Sequence, residues 1–565
     1  MGAMIAKRIL LLALDGVTWP GLGAAMAAGH VPALTRLAAG GAIGPLAMPP
    51  QIGATPLWAT LASGSYPEAH GLIGEDEVWA GGLRPAGHAS WRAPPVWQRL
   101  EDAGIACTTV DWPATAPAAA WAGQHVDPRY AVATGTDWDD WALPLDCVPP
   151  DLRESLRDAR VHPADVTGEM LAPLVPGLAA IDQARDPSLA RIAVGMAYAA
   201  SVQAAAAELI GRGDWRVALV HHRWLGSIRA VFDAAQDSYA GVVAGAWRFL
   251  DGMVGRLAQL AGEEATVLIV GSGEAGRAGT LIAAGASVTA GTAIEGARLI
   301  DMAPTVLAAF GWRDEALPGT PLAAIAPVAM QTLPPAVQPV PPIDTELLAQ
   351  VTAAGYAPPP PPSLAWLSMR LAGLAQMLLP RNPAEALRAA DAALAHMPDN
   401  PVALGQKAFA LVALNRADGL HEIADKLDAL APDRPWGAIA YGAYHALRGE
   451  PAAAKPWLDR AVASDEGVMR LRAGAAWLVL ARPHEARRAF LAAQELMRDD
   501  ADAEIGLAVS AHALRRWQEA EEALRHVLAR DPAHAIAWDQ LAAVLHDVGR
   551  ISEAEAAAAV ARRLG

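Results

Sequence analysis

Cysteine is nearly absent from this 565-residue chain, which holds only Cys107 and Cys147. The two could pair, but they make no disulfide framework, so the fold must rest on packed cores. Charge is scarce too, at 18% Asp, Glu, Lys and Arg, and the balance is acidic, with a formal net charge of −16. A nucleic-acid grip needs clustered Lys and Arg against phosphate, so no nucleic-acid partner is expected. The acidity serves solubility. Long apolar runs are also missing. Ile9–Leu14 is too short for a signal-peptide core or a membrane span, and it runs straight into Asp15-Gly16, which is strand-then-turn punctuation. No other stretch reaches ~18 uninterrupted strongly apolar residues. A cytoplasmic protein with no membrane partner is expected.

What is abundant is apolar surface. Hydrophobic residues make up 53% of the chain, enough to bury large cores, and the length suggests two to four units at ~150 residues each. Three regions separate by composition. Residues 1–326 alternate short apolar strands with helix-like segments. The strands are expected at Ile9–Leu14, Cys107–Asp111, Val217–His221 and Thr266–Val270. That alternation predicts an α/β domain with a mostly parallel sheet sandwiched by helices. Residues 327–365 carry the densest proline, including the run Pro358 to Pro362. They read as a semi-rigid linker, with a short helix over Thr345–Ala354.

Residues 366–565 read as helical throughout, and they repeat. Pro398, Pro432 and Pro532 end successive helical pairs, the first two 34 apart. Small residues fall where paired helices touch, at Ala386, Ala486, Ala520 and Ala554, with Phe490 and Leu524 four positions after the second and third. Trp538, Leu541 and Ala542 open the last unit. This pattern resembles the tetratricopeptide repeat, with five to six units. One pair cannot bury its apolar face alone, but stacked neighbours cover it. The result is an all-α solenoid with a concave surface for a protein or peptide partner. Around Pro451–Trp457 the register departs from the pattern.

The front region carries a second resemblance. Leu12-Ala13-Leu14-Asp15-Gly16 with Trp19 is followed by Gly29-x-x-Pro32-x-Leu34-x-x-Leu37-x-x-x-Gly41. Next comes Thr55-Pro56-Leu57-Trp58-Ala59-Thr60-Leu61-Ala62-Ser63-Gly64, closing at Pro67 and His70-Gly71. Val110-Asp111-Trp112-Pro113 and Asp301-Met302-Ala303-Pro304-Thr305-Val306-Leu307 complete the series. In this order the motifs resemble the type I phosphodiesterase/nucleotide pyrophosphatase group of the alkaline phosphatase superfamily. The resemblance implies the fold of that superfamily. It also implies a chemistry in which two divalent cations, usually zinc, clamp the attacking and leaving oxygens while a Thr or Ser attacks.

Position by position, most of that chemistry is missing. The first Asp ligand survives as Asp15. The nucleophile position holds Ala54, which has no hydroxyl, and the adjacent Thr55 is the residual candidate. The places of the next Asp and His hold Gly226 and Ala230. The strand that ends Ser-Asp-His-Gly in the group ends here Gly271-Ser272-Gly273-Glu274, and no His precedes the strand at Gly279. Five of six implied ligands are therefore replaced, and one carboxylate cannot hold two cations. Few residues could substitute. His221 and His222 are strand neighbours, so at most one faces the cleft. Glu274 could hold a cation weakly. The acidic run Glu75 to Glu77 is expected to be a solvated loop, and His125 and Asp127 to be loop residues at the surface. Asp301 is expected to be held structurally. Gly271 to Gly276 does not open a helix, so a dinucleotide loop is not expected.

The sequence thus favours a non-catalytic or vestigial phosphodiesterase-like domain fused to a binding array, with no cofactor. The alternative is an active hydrolase of phosphate or sulfate esters, which would need a zinc or similar metal pair.

Overall fold

The computed structural model describes residues 6–49, 53–79, 82–116, 121–133, 141, 147–148, 152–183, 185–233, 239–273, 277–285, 287–325, 330–333, 364–379, 382–432, 434–498 and 500–564. Most of the proline-rich stretch, with the helix expected over Thr345–Ala354, lies outside the described residues. The chain divides into two compact units, residues 1–77 with 84–359 and residues 78–83 with 360–565.

The first unit is built on a sheet that has ten strands among the described residues. They are β1 (Arg8–Leu14), β2 (Ala42–Ala47), β3 (Cys107–Val110), β4 (Gln124–Val126), β5 (Cys147–Val148), β6 (Val217–His222), β7 (Ala265–Gly271), β8 (Gly279–Ala284), β9 (Thr292–Ala293) and β10 (Ala297–Arg298). The order is β9-β2-β8-β7-β1-β6-β3-β4-β5, with β10 also on β2. The central strands β7, β1, β6, β3 and β4 are parallel, while β8 and β5 run antiparallel to their neighbours. The reason is legible in β1. Ile9 to Leu14 is apolar at every position and fully buried, as a strand covered on both faces must be.

Strand alternation sorts the core into two layers. Leu10, Leu12 and Leu14 join Ala218, Val220, Val267 and Ile269 on one face. Ile9, Leu11 and Ala13 join Val217, Leu219, Leu268 and Val270 on the other. Eight longer helices among the described residues cover these faces: α1 (Trp19–Ala27), α2 (Pro32–Ala39), α3 (Ala54–Ser63), α4 (Val96–Asp102), α5 (Ser188–Arg212), α6 (Trp224–Phe232), α7 (Val242–Ala261) and α8 (Met302–Ala309). The first core takes side chains of α1, α2, α5, α6 and α7; the second takes those of α3, α4 and α8. Among the described residues, helix α5 alone is long and apolar enough to cross a membrane, with half of its most apolar window buried inside the unit. Its Leu189, Ile192, Val202 and Leu209 lie in the first core. Cys107 is a free, buried thiol.

One helix start depends on a distant residue. Val31 precedes α2 and offers no side-chain cap. Asp251 of α7 supplies it instead, accepting the N–H groups of Ala33 at 2.9 Å and Leu34 at 2.8 Å. Asp251 is buried, so its loss leaves two orphan donors out of water. Asp251→Ala should lower stability by about 2 kcal/mol, read as a shift of the urea midpoint. An unchanged midpoint would show that the cap contributes nothing.

The second unit holds six antiparallel helix pairs among the described residues: α9 (Leu364–Leu378) with α10 (Pro383–His396), α11 (Pro401–Ala413) with α12 (Leu420–Leu430), α13 (Trp436–Leu447) with α14 (Pro451–Val462), α15 (Gly467–Val479) with α16 (Pro483–Leu496), α17 (Ala501–Ala513) with α18 (Trp517–Arg530), and α19 (Ala535–Asp547) with α20 (Ile551–Leu564). Each first helix packs on the first helix of the next pair, which lines one side of the array with α9, α11, α13, α15, α17 and α19. The small residues seen in the sequence are buried at these seams: Ala386, Ala486, Ala520 and Ala554, with Phe490 and Leu524 beside them. Pro398, Pro432 and Pro532 each follow a second helix. The irregular stretch has a local cause. Only 31 residues separate Trp436 from Gly467, the starts of α13 and α15, and Pro456 sits inside α14.

Candidate functional site

Register places the site. Leu14 pairs with His222 on one side and Gly271 on the other. The residues that follow, Asp15, Arg223 and Ser272, therefore emerge together at the carboxyl edge of the parallel strands. Ligands of α/β sheets bind at such an edge. A cleft of about 470 Å³ opens there, lined by Asp15, Ala54, Gly226, Ala230, Ser272 and Gly273 among others. The positions compared with the implied ligand set thus converge on one place, although they are spread over 259 residues of chain. Glu274 lies outside the described residues.

Both oxygens of Asp15 are engaged. Oδ1 accepts the Trp58 indole N–H at 2.8 Å, and Oδ2 lies 3.2 Å from His221 Nε2. The other ring nitrogen of His221 faces the Asp111 carbonyl at 3.1 Å, with the Asp111 carboxylate 3.8 Å away. Asp111, with φ of 57°, aims its carboxylate at Arg223 (2.8 Å) and the Tyr198 hydroxyl (2.5 Å). Burial alone would strip the proton from His221, but the Asp15 carboxylate, then Asp111, outweigh it and raise its pKa. Burial likewise pushes Asp15 up, and His221 with the Trp58 hydrogen bond brings it below the usual carboxylate range. The pair is a histidinium–carboxylate bridge, with Asp15 keeping 18% of its side-chain surface. Trp58 reaches it from an edge-to-face cluster that continues through Trp112, Trp97 and Trp121.

The opposite wall is backbone. A Cβ on Gly226 would stand 2.8 Å from Asp15 Cβ, and one on Gly16 would stand 2.8 Å from Gly226 Cα. Gly16 has φ of 80°, so both glycines are required by the approach of two chain segments. Arg229, one helical turn on, donates to the Gly16 carbonyl at 2.6 Å and to both oxygens of Asp233. The Ser272 hydroxyl accepts the Gly16 N–H at 2.8 Å.

Thr55 is turned from the cleft. It is 2% exposed; its hydroxyl donates to Glu75 Oε2 at 2.7 Å, and its N–H to Glu75 Oε1 at 3.2 Å. Glu75 is thus more than a solvated charge, because it ties the first turn of α3, and Asp76 begins a short strand, Asp76–Trp79. His125 and Asp127 correct the surface expectation. His125 lies in β4 with no exposure, between Thr109 Oγ1 (2.7 Å) and Glu101 (3.1 Å), and Asp127 is buried against Arg129. Burial of β4 on both faces governs His125, and the bonds from Arg129 hold Asp127 just beyond the strand. His222 points away from His221, buried and with neither ring nitrogen partnered. Asp301 accepts the N–H groups of Arg298 and Thr320, a structural role. The network of His221, Asp111, Arg223 and Tyr198 has no local sequence signal, because it depends on β6 lying between β1 and β3. Among the described residues no group of three or more His, Cys, Asp or Glu could hold a metal ion.

This geometry defines an alkaline-phosphatase-like α/β domain followed by a tetratricopeptide-like helical array. Within that class, the model of the type I phosphodiesterase / nucleotide pyrophosphatase family matches residues 9–274. No curated protein matches the chain in sequence. Solved structures similar to it include the Cut9-Hcn1 hetero-tetramer of APC/C (16% identity, 34% of this chain and 38% of that one, TM-score 0.31). Others are the human IFIT1 dimer with PPP-AAAA (13%, 37% and 52%, 0.30) and a thermophilic TPR protein of Thermus thermophilus (19%, 32% and 99%, 0.28).

Proposed function

We propose that the N-terminal domain is a vestigial phosphodiesterase-like scaffold that does not turn over phosphate esters, and that the protein acts by binding partners on its helical array. The observation that carries this reading is the contact of Gly226 with Asp15 and Gly16. Where the family resemblance implies a carboxylate ligand, two backbones meet and leave no room for a side chain. The side chains present do not fit a pair of divalent cations. Asp15 is committed to His221 and Trp58, Ser272 to Gly16, and Ala54, Ala230 and Gly273 offer no coordinating side chain. Thr55 is buried against Glu75 and is not part of the cleft lining, so its hydroxyl does not face a group bound there. The His221–Asp15 bridge puts one positive charge where the implied chemistry has two cations.

Metal analysis of protein purified without chelator, together with turnover of bis(p-nitrophenyl) phosphate, tests this. Substoichiometric zinc and manganese are expected, with turnover at the buffer rate in the wild type, Asp15→Ala and Thr55→Ala alike. About two equivalents of metal, as a two-cation centre requires, with turnover that both substitutions abolish, would establish the active-hydrolase alternative.

A further inference from the structure

The repeat array has one feature that a purely structural solenoid does not require. Between α11, α13 and α15 lies an apolar pocket of about 220 Å³, formed by Phe409, Trp436, Ile439 and Met469 with Gln406 at its wall. Small-molecule sites start near ~300 Å³, so this one has room for a single large side chain. Two polar groups beside it lack partners. Gln406 Oε1 is buried without a hydrogen bond. Arg472 lies one turn beyond Met469 on the same face of α15. Its guanidinium carbon stands 4.5 Å over the Phe409 ring, and its Nε is buried without an acceptor.

The neighbouring arginines are occupied. Arg434 bonds Glu466, Arg470 bonds the carbonyls of Ser464 and Ala492, and Arg487 bonds Glu519. Burial depresses the affinity of Arg472 for its proton, partly countered by the charge of Asp502 of α17. A half-buried guanidinium without an acceptor is costly unless a carboxylate arrives to pair with it.

We propose that this pocket binds a peptide segment in which Asp or Glu lies within two residues of Leu, Met or Phe. The apolar side chain fills the pocket, a peptide N–H donates to Gln406, and the carboxylate pairs with Arg472. A peptide is favoured because the three vacancies call for an apolar side chain, a backbone donor and an acid on one short strand. The inference rests on the binding reading of the array and specifies its ligand.

The test is selection of a random dodecapeptide display library on the full-length protein, followed by fluorescence anisotropy of the enriched peptides. The expected consensus pairs the apolar and acidic residues. Replacing the acid by its amide in the peptide, or Arg472→Gln in the protein, should each weaken binding about tenfold. The two changes together should cost no more than either alone. Enriched peptides without an acid, or an amide peptide that binds as well as the acid, would overturn this inference and leave the binding reading in place. A selection that enriches no peptide would overturn both.

Discussion

Acidification from pH 7 to pH 4 should unfold the N-terminal unit while the helical array stays folded. Three buried histidines carry the argument. Burial lowers the pKa of His70 and of His222 to about 3, and of His88 to about 4, against an ordinary 6.5. The geometry agrees: His70 Nδ1 accepts the Leu72 N–H, so it carries no proton, and His222 has no partner for a charge. A folded value below the unfolded one means that the stability is present above pH 6.5 and is lost as pH falls through the window down to 3 or 4. Each neutral histidine removes about 1.4 kcal/mol per pH unit in that window. Three together remove about 4 kcal/mol per unit, which exhausts a domain stability of about 10 kcal/mol within three units. The helical array instead holds two half-buried carboxylates, Asp500 and Asp531, that burial raises and that mild acid relieves. Pepsin digestion at pH 4 should therefore consume the front unit and leave a resistant fragment beginning near residue 364. A front unit that survives pepsin at that pH would sink the argument.

Replacing Asp15 by alanine should lower the stability of the same unit by about 3 kcal/mol, because breaking the pair strips the buried His221 charge of its nearer counter-ion. His221 would keep only its contacts with Asp111, and the Trp58 N–H would lose its acceptor. The loss should be independent of chelator, since it comes from the histidinium. It should also depend on pH. His221 is raised above 6.5 when folded, so its contribution is complete below pH 6.5 and fades as pH climbs through the higher folded value. The gap between wild type and Asp15→Ala in urea titrations should therefore narrow on the alkaline side. A gap near zero at pH 6, or one that appears only after metal is added, would refute the bridge.

The strands at Ile9 and Thr266 were legible because each is an apolar run ended by turn residues, that at Val217 by its apolar start, and that at Cys107 by its β-branched residues before Asp111-Trp112-Pro113. The convergence of Asp15, Ala54 and Ser272 was legible because each follows a strand or opens a helix in a known order, and Gly226 and Ala230 come with them because they lie one turn apart on the helix that follows β6. What the residues could not reveal is lateral. That β6 lies between β1 and β3, and so sets His221 between Asp15 and Asp111, depends on sheet order. So does the burial of His125 and Asp127. Asp251 caps a helix 217 residues away, beyond the reach of any local pattern. The register around Pro451 was obscured because Pro456 and a 31-residue spacing break the repeat at one point.

The meeting of Gly16 and Gly226 makes position 226 intolerant of any side chain while the two segments stay this close. The first added carbon meets Asp15 before any oxygen is in place. A carboxylate can therefore be installed there only together with a second change that moves the main chain apart.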